Sequence, residues 1–363
     1  MTILSPMPKN PHPSPTVKTT HFKGIALLVL SSFGLFGCGS DQGKAKAQDS
    51  LAVAKDSVKV EEVENTRLPV DTAKYDSMML KLANGDTSGK WPVKNQPYPL
   101  DGAILPFKRI VCYYGNLYSK KMGALGEYAP KQMLSMLDAE VKKWEKADPS
   151  TPVQPALHYI AVVAAGDPGK AGKYRTRMPF KQIDSVMAIS RMRKNMIVFL
   201  DIQVALGTIQ EELPQLEEYL KLPNVHLGID PEFSMKDGSK PGKKIGNYDA
   251  VEINYCSNYL AGLVKKYNLP PKVFVVHRFT QKMVSNYKNI KLRPEVQMVI
   301  HMDGWGEPEL KKGTYRHFIY PEPVQFTGFK IFYKNDLKKA PNRLMTPEEL
   351  MKLKPIPSYI QYQ

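Results

Sequence analysis

Val225-His226-Leu227-Gly228-Ile229-Asp230-Pro231-Glu232 reads as a β-strand that runs straight into a polar loop. Side chains alternate along a strand, so residues two apart share a face and stand about 6.5 to 7 Å apart. One face then carries Val225, Leu227 and Ile229, and the other carries His226, Gly228, Asp230 and Glu232. An apolar face for outer helices, opposite a face that turns acidic at its C-terminal end, is what an inner strand of a parallel barrel requires.

Similar runs rich in Val, Ile and Phe lie on either side. They cover 109–114, 158–164, 196–203, 272–279, 297–303, 328–333 and 359–362. Amphipathic segments separate them, with helices expected over 129–147, 180–193, 209–220, 251–267 and 281–287. Eight strands alternating with helices across residues 98–363 predict a single-domain (β/α)8 barrel of the TIM type, a fold of about 250 residues. A doubly wound open sheet is disfavoured, because Tyr113-Tyr114-Gly115-Asn116 after the first strand has neither G-x-G-x-x-G nor P-loop spacing.

The working residues of such a barrel come from the C-terminal ends of its strands. Here those ends supply Asp201 and Gln203, Asp230 and Glu232, His277, His301 and Asp303, then Lys330 and Tyr333. Strand parity sends Asp201, Asp230, Glu232 and Asp303 into one bowl. Several carboxylates so placed must be solvated, paired, protonated or used; each aspartate could alternatively cap a following helix or pair with a loop Lys or Arg. Tyr114, Asn116, Gln203, His277, His301, Trp305, Lys330 and Tyr333 are the candidate substrate-binding residues. Trp305 stands out because Gly304 and Gly306 flank it in a loop.

Asp230-Pro231-Glu232 resembles the D-x-E signature of barrel glycoside hydrolases of the muramidase and chitinase type. The resemblance implies a glutamate acting as general acid or base. His226 and Gly228 occupy places where the chitinase pattern carries further aspartates, so substrate assistance by an N-acetyl group is not implied. Glycoside hydrolysis needs a carboxylic acid to protonate the leaving oxygen and a second carboxylate to attack the sugar or activate water. Glu232 is the candidate acid, Asp230 its neighbour that holds or tunes it, and Asp303 or Asp201 the second carboxylate. Together with Met122-Gly123-Ala124-Leu125-Gly126-Glu127 and Gly328-Phe329-Lys330-Ile331-Phe332-Tyr333, the Tyr113–Asn116 and Asp230–Phe233 stretches also resemble an uncharacterised family of exported bacterial proteins, which implies no activity.

Two rival readings share these residues. A metal-dependent barrel hydrolase could draw ligands from His277, His301, Asp201, Asp230, Glu232 and Asp303, but no H-x-H or H-E-x-x-H spacing supports it, and no metal or cofactor is expected. A glycan-binding lipoprotein without catalysis would have the same charge and loop aromatics. A Ser-His-Asp hydrolase lacks the G-x-S-x-G elbow.

At the other end of the chain, Lys9, Lys18 and Lys23 precede an apolar stretch, 24–37, that is shorter than the roughly 20 residues a membrane span needs. It ends at Leu35-Phe36-Gly37-Cys38, which resembles the lipobox of bacterial lipoproteins. The resemblance implies a signal peptide over 1–37, lipid on Cys38, and attachment to the bacterial cell envelope. Residues 38–97 read as a flexible tether with a short amphipathic helix near 73–82, ahead of the barrel at 98–363. Cys112 and Cys256 remain as core residues. The formal net charge is +16, only three units of which come from residues 1–37. A basic exported surface favours anionic polysaccharide, lipid headgroups or wall polymers as partners and makes nucleic acid implausible.

Overall fold

Eight parallel strands close on themselves. In the computed structural model, which describes residues 67–363, these are β1 (Arg109–Gly115), β2 (Val153–Ala164), β3 (Ile197–Ile202), β4 (Val225–Ile229), β5 (Lys272–Arg278), β6 (Val296–Met302), β7 (Phe326–Ile331) and β8 (Tyr359–Tyr362). Each pairs in parallel with its neighbours in chain order, and β1 pairs with both β2 and β8, which completes the (β/α)8 barrel. The expected signal segment and Cys38 lie outside the described residues. Among the described residues, no helix is long and apolar enough to cross a membrane.

Alternation divides the strand side chains as the sequence predicts. Val225, Leu227 and Ile229 join the outer core between barrel and helices, with Val198, Leu200 and Ile202 from β3. The principal covering helices are Pro130–Ala147, Phe180–Ser190 and Ala250–Lys266. The inward face is itself divided. Its N-terminal half is apolar, built from Ile110, Cys112, Ala156, Ile197, Phe199, Val273, Val275, Val299 and Phe326. Its C-terminal half is polar and buried, with His158, Asp201, His277, His301 and Gln361 all at zero exposure.

The apolar half is plugged by a helix that the sequence reading assigned to a tether. Helix α1 (Thr72–Ala83) is started by Asp71, whose side chain accepts the Lys74 N–H. It lays Tyr75, Met79 and Leu82 against the lower lumen. The following segment stays attached: Trp91 Nε1 donates to the Tyr320 carbonyl, and Asn84 Nδ2 to the carbonyls of Met351 and Leu353. Residues 67–97 are therefore part of the barrel domain. A barrel lumen open at its base would leave large apolar side chains wet, and α1 removes that exposure.

Two other expected elements differ. The helix over 209–220 is interrupted by a 3-10 turn at Leu213–Leu216, where Pro214 removes a backbone donor. The expected helix over 281–287 is a 3-10 turn, Gln281–Met283, followed by the two-residue strand Val284–Ser285, which pairs with Tyr248–Asp249. Instead, a helix not foreseen covers the β6-to-β7 connection at Pro308–Thr314, and Arg175–Arg177 adds an antiparallel edge to β2.

Met79 is 4 % exposed in the plug. Met79→Ala should lower stability by about 2 to 5 kcal/mol, read as a fall in the denaturant midpoint at unchanged slope; a loss under about 0.5 kcal/mol would mean that the plug is not part of the cooperative unit.

Candidate active site

A cavity of about 480 Å³ opens at the C-terminal ends of the strands. Its polar lining includes Tyr114, Gln203, Asp230, Glu232, Asp303 and Lys330, and its aromatic lining includes Phe233, Phe279, Trp305 and Phe332. Trp305 stands 49 % exposed at the rim between its two glycines, with Lys338 Nζ 5.5 Å from the ring centroid. This is the flat, half-solvated surface a sugar ring can stack on.

Asp230 closes β4. Its Oδ1 accepts the backbone N–H of Glu232 at 3.0 Å and so caps the 3-10 turn Pro231–Phe233, while Oδ2 accepts Gln203 Nε2 at 3.3 Å. Gln203 is fixed in turn, its Oε1 accepting the Ala164 N–H at 3.0 Å. Both outcomes weighed for Asp230 are thus realised together: it is a cap, and the cap orients Glu232 into the cavity.

Below the floor, His277 stands between two acids. Its Nδ1 is 2.6 Å from Asp303 Oδ2, and its Nε2 is 3.5 Å from Asp201 Oδ1. Asp303 Oδ1 meets Lys330 Nζ at 2.9 Å, and the same ammonium lies 3.9 Å from the centroid of the Tyr114 ring, within cation–π range. Tyr114 donates its hydroxyl to Asp201 Oδ2 at 3.0 Å. His158 on β2 brings Nε2 to 3.4 Å from Asp201 Oδ1, and its Nδ1 lies 2.5 Å from the Tyr359 hydroxyl.

These placements set opposite protonation states. Burial drives Asp303 and Asp201 upward, but Lys330 and His277 for the first, and His277 and His158 for the second, outweigh it, holding both well below the usual carboxylate range. Burial pushes His277 down, yet Asp201 and Asp303 reverse this and carry it up to about 10. His158 is pushed down to about 4 by burial, against the pull of Asp201, and burial and the charge of His277 push His301 far below its ordinary value. Asp230 is raised well above its ordinary value by burial and by Glu232, Asp303 and Asp201, against His277. Glu232 rises to about 7 through burial and the Asp303 charge, only partly offset by Lys330 and His277. An uncharged carboxyl group and a charged one therefore share a cavity, the division of labour that acid-assisted hydrolysis requires.

Of the sequence candidates, Glu232, Asp230, Asp303, Tyr114, Gln203, Trp305 and Lys330 line the cavity. The remaining candidates are placed elsewhere. Asp201, His277 and His301 are buried beneath the floor, so Asp201 is not placed to touch substrate. Asn116 braces its own loop, donating to the Ile160 carbonyl and accepting the Tyr118 N–H. Tyr333 belongs to the outer face, where its hydroxyl meets those of Tyr113 and the Glu140 carboxylate; the parity of β7 points it away from the lumen because Lys330 points inward. His158 was missed. It sits in the middle of β2 rather than at its start, and alternation with Ala156 and Ile160 would have placed it on the lumen face.

The chain matches no protein-family model, and no curated protein matches it at a significant level. The geometry therefore carries the functional reading.

Gly228 lies beside Asp201 across the β3–β4 ladder. A Cβ there would sit 2.4 Å from Asp201 Oδ1 and 2.5 Å from His158 Nε2. Gly228→Ala should consequently cost about 1 to 3 kcal/mol in denaturant unfolding and displace the His158 ring signals in NMR; a neutral substitution with unshifted imidazole resonances would show that the buried cluster is looser than described.

Proposed function

We propose that this chain is a glycoside hydrolase acting on envelope or extracellular polysaccharide, anchored to a membrane through lipid on Cys38. The observation that carries the catalytic reading is that Glu232, raised to about 7, and Asp303, held ionised by Lys330 and His277, line the same cavity. Glu232 protonates the glycosidic oxygen as the leaving group departs. Asp303 faces the positive charge that develops on the sugar and either attacks it or activates water. Asp230 is a positioning residue, holding the Glu232 turn through its side-chain cap. Trp305 supplies stacking surface and Gln203 a polar partner for a hydroxyl, while Tyr114 lines the cavity beneath Lys330. The basic surface outside residues 1–37 suits an anionic polymer, and the anchor would keep the enzyme at the envelope.

The test is release of reducing ends from a panel of wall and matrix polysaccharides by the full chain. Glu232→Gln should reduce turnover at least about 100-fold, the lower end of what a general acid contributes, with the fold intact by circular dichroism. Activity that survives this near-isosteric change rules out the acid role. Saturable glycan binding with no bond cleavage by the wild type would instead make the chain a binding protein.

The pH profile provides an independent check. The acid must be protonated, so turnover should fall as pH rises through about 7, while the acidic limb should lie well below the ordinary carboxylate range, where Asp303 takes up its proton. Activity that instead rises through pH 7 would require a deprotonated Glu232 and a different mechanism.

A further inference from the structure

Beneath the cavity floor three potential ligand atoms converge without a hydrogen bond to any of them. They are His158 Nε2, Asp201 Oδ1 and His277 Nε2, from β2, β3 and β5. All three side chains are fully buried. Both imidazole nitrogens approach the same carboxylate oxygen, at 3.4 and 3.5 Å. A charge-assisted N–H···O bond closes to about 2.7 to 2.9 Å, so direct ion pairing leaves these contacts too long. Ligand bonds of about 2.0 to 2.1 Å in a tetrahedron place neighbouring ligands about 3.3 to 3.4 Å apart, close to both nitrogen–oxygen separations, and all three atoms lie within 4.8 Å of one another.

The opposite atom of each ligand is already held. His158 Nδ1 meets the Tyr359 hydroxyl at 2.5 Å, His277 Nδ1 meets Asp303 Oδ2 at 2.6 Å, and Asp201 Oδ2 accepts from Tyr114 at 3.0 Å. Outer partners of this kind fix ring orientation and aim the free nitrogen at a metal, and a carboxylate on the far nitrogen of a ligating histidine is their commonest form. Gly228 completes the cradle, since any Cβ there would fill the space beside Asp201 Oδ1 and His158 Nε2.

We propose that His158, Asp201 and His277 bind a divalent transition-metal cation of the zinc class, with water as the fourth ligand, the choice that two imidazoles and one carboxylate favour. The cation displaces the Nε2 proton that His277 carries in the metal-free protein, so each histidine coordinates as neutral imidazole through Nε2, and His277 retains its Nδ1 proton for Asp303. A second grouping, His277 with His301 and Asp303, is poorer, because both Asp303 oxygens are taken by His277 and Lys330. None of the three ligands lines the cavity, whereas Tyr114 and Asp303 do, each one hydrogen bond from a ligand. The cation thus ties three strands together under the floor without touching substrate. This goes beyond the hydrolase reading and does not depend on it.

The experiment uses the untagged full chain, stripped with chelator, reloaded with Zn²⁺ and freed of excess by gel filtration. Elemental analysis should find one equivalent per chain, Zn²⁺ should raise the Tm of the stripped protein, and Co²⁺ should give the visible absorption of a four-coordinate site. Tyr359→Phe, which removes the hydroxyl that His158 Nδ1, Cys112 Sγ and Gln361 Nε2 share, should weaken affinity roughly 10- to 100-fold; His158→Gln should abolish stoichiometric binding. Glu232→Gln should bind as the wild type does. Wild-type protein that takes up no stoichiometric metal and shows no Tm shift with Zn²⁺, Co²⁺ or Mn²⁺ overturns the site, as does a full equivalent retained by folded His158→Gln. Hydrolysis lost in Glu232→Gln while the wild type binds no metal would remove this inference and leave the hydrolase reading standing; metal bound by a chain inert on every glycan would do the reverse.

Discussion

The 2.6 Å approach of His277 to Asp303 is the interaction on which the upper lumen depends. Taking ionised carboxylates out of water costs several kcal/mol each unless a compensating charge and hydrogen bonds are at hand. Four acids gather here, but only His277 and Lys330 reach the lumen as cations beside them. His277 serves Asp201 and Asp303, and Lys330 takes the other Asp303 oxygen. Asp230 and Glu232 pair directly with neither, and burial outweighs the more distant pull of those charges and raises both. The allocation of two cations among four acids, rather than any single residue, gives the cavity its chemical asymmetry.

The two halves of the lumen serve different ends within one set of strands. β5 shows this plainly: Val273 and Val275 belong to the apolar base, and His277, next on the same face, belongs to the charged layer. A close-packed base holds the backbone rigidly, so the polar side chains above it inherit fixed positions. That rigidity lets contacts as specific as Gln203 to Asp230 and Tyr114 to Asp201 persist without solvent to lubricate alternatives.

Much of this was legible in the sequence. Period-two alternation in Val225–Glu232 gave the correct inward and outward sets, and the same argument assigned Asp201, His301 and Asp303 to the lumen. What failed was depth. Alternation tells which face a side chain takes but not how far along the barrel axis it lies, so Asp201, His277 and His301 were expected at a surface that they sit beneath. Parity applied to the loop after β7 would have excluded Tyr333, since Lys330 already claims the inner face. The tether was misjudged for a different reason. Its composition is polar overall, and the few apolar residues of α1, Tyr75, Met79 and Leu82, suffice because they have only one opening to fill.

That plug also has a temporal meaning. Its apolar neighbours include Phe326, Ile356 and Tyr359, and the Ile356 N–H bonds to the Leu82 carbonyl at 2.7 Å. Helix α1, made early, thus finds its seat only when nearly the last residues have been made. Loop closure over so long a stretch is entropically slow. Until then both the helix and the half-built lumen expose the surfaces they later share, so folding in one concerted event after the chain is complete suits this architecture better than gradual folding during synthesis.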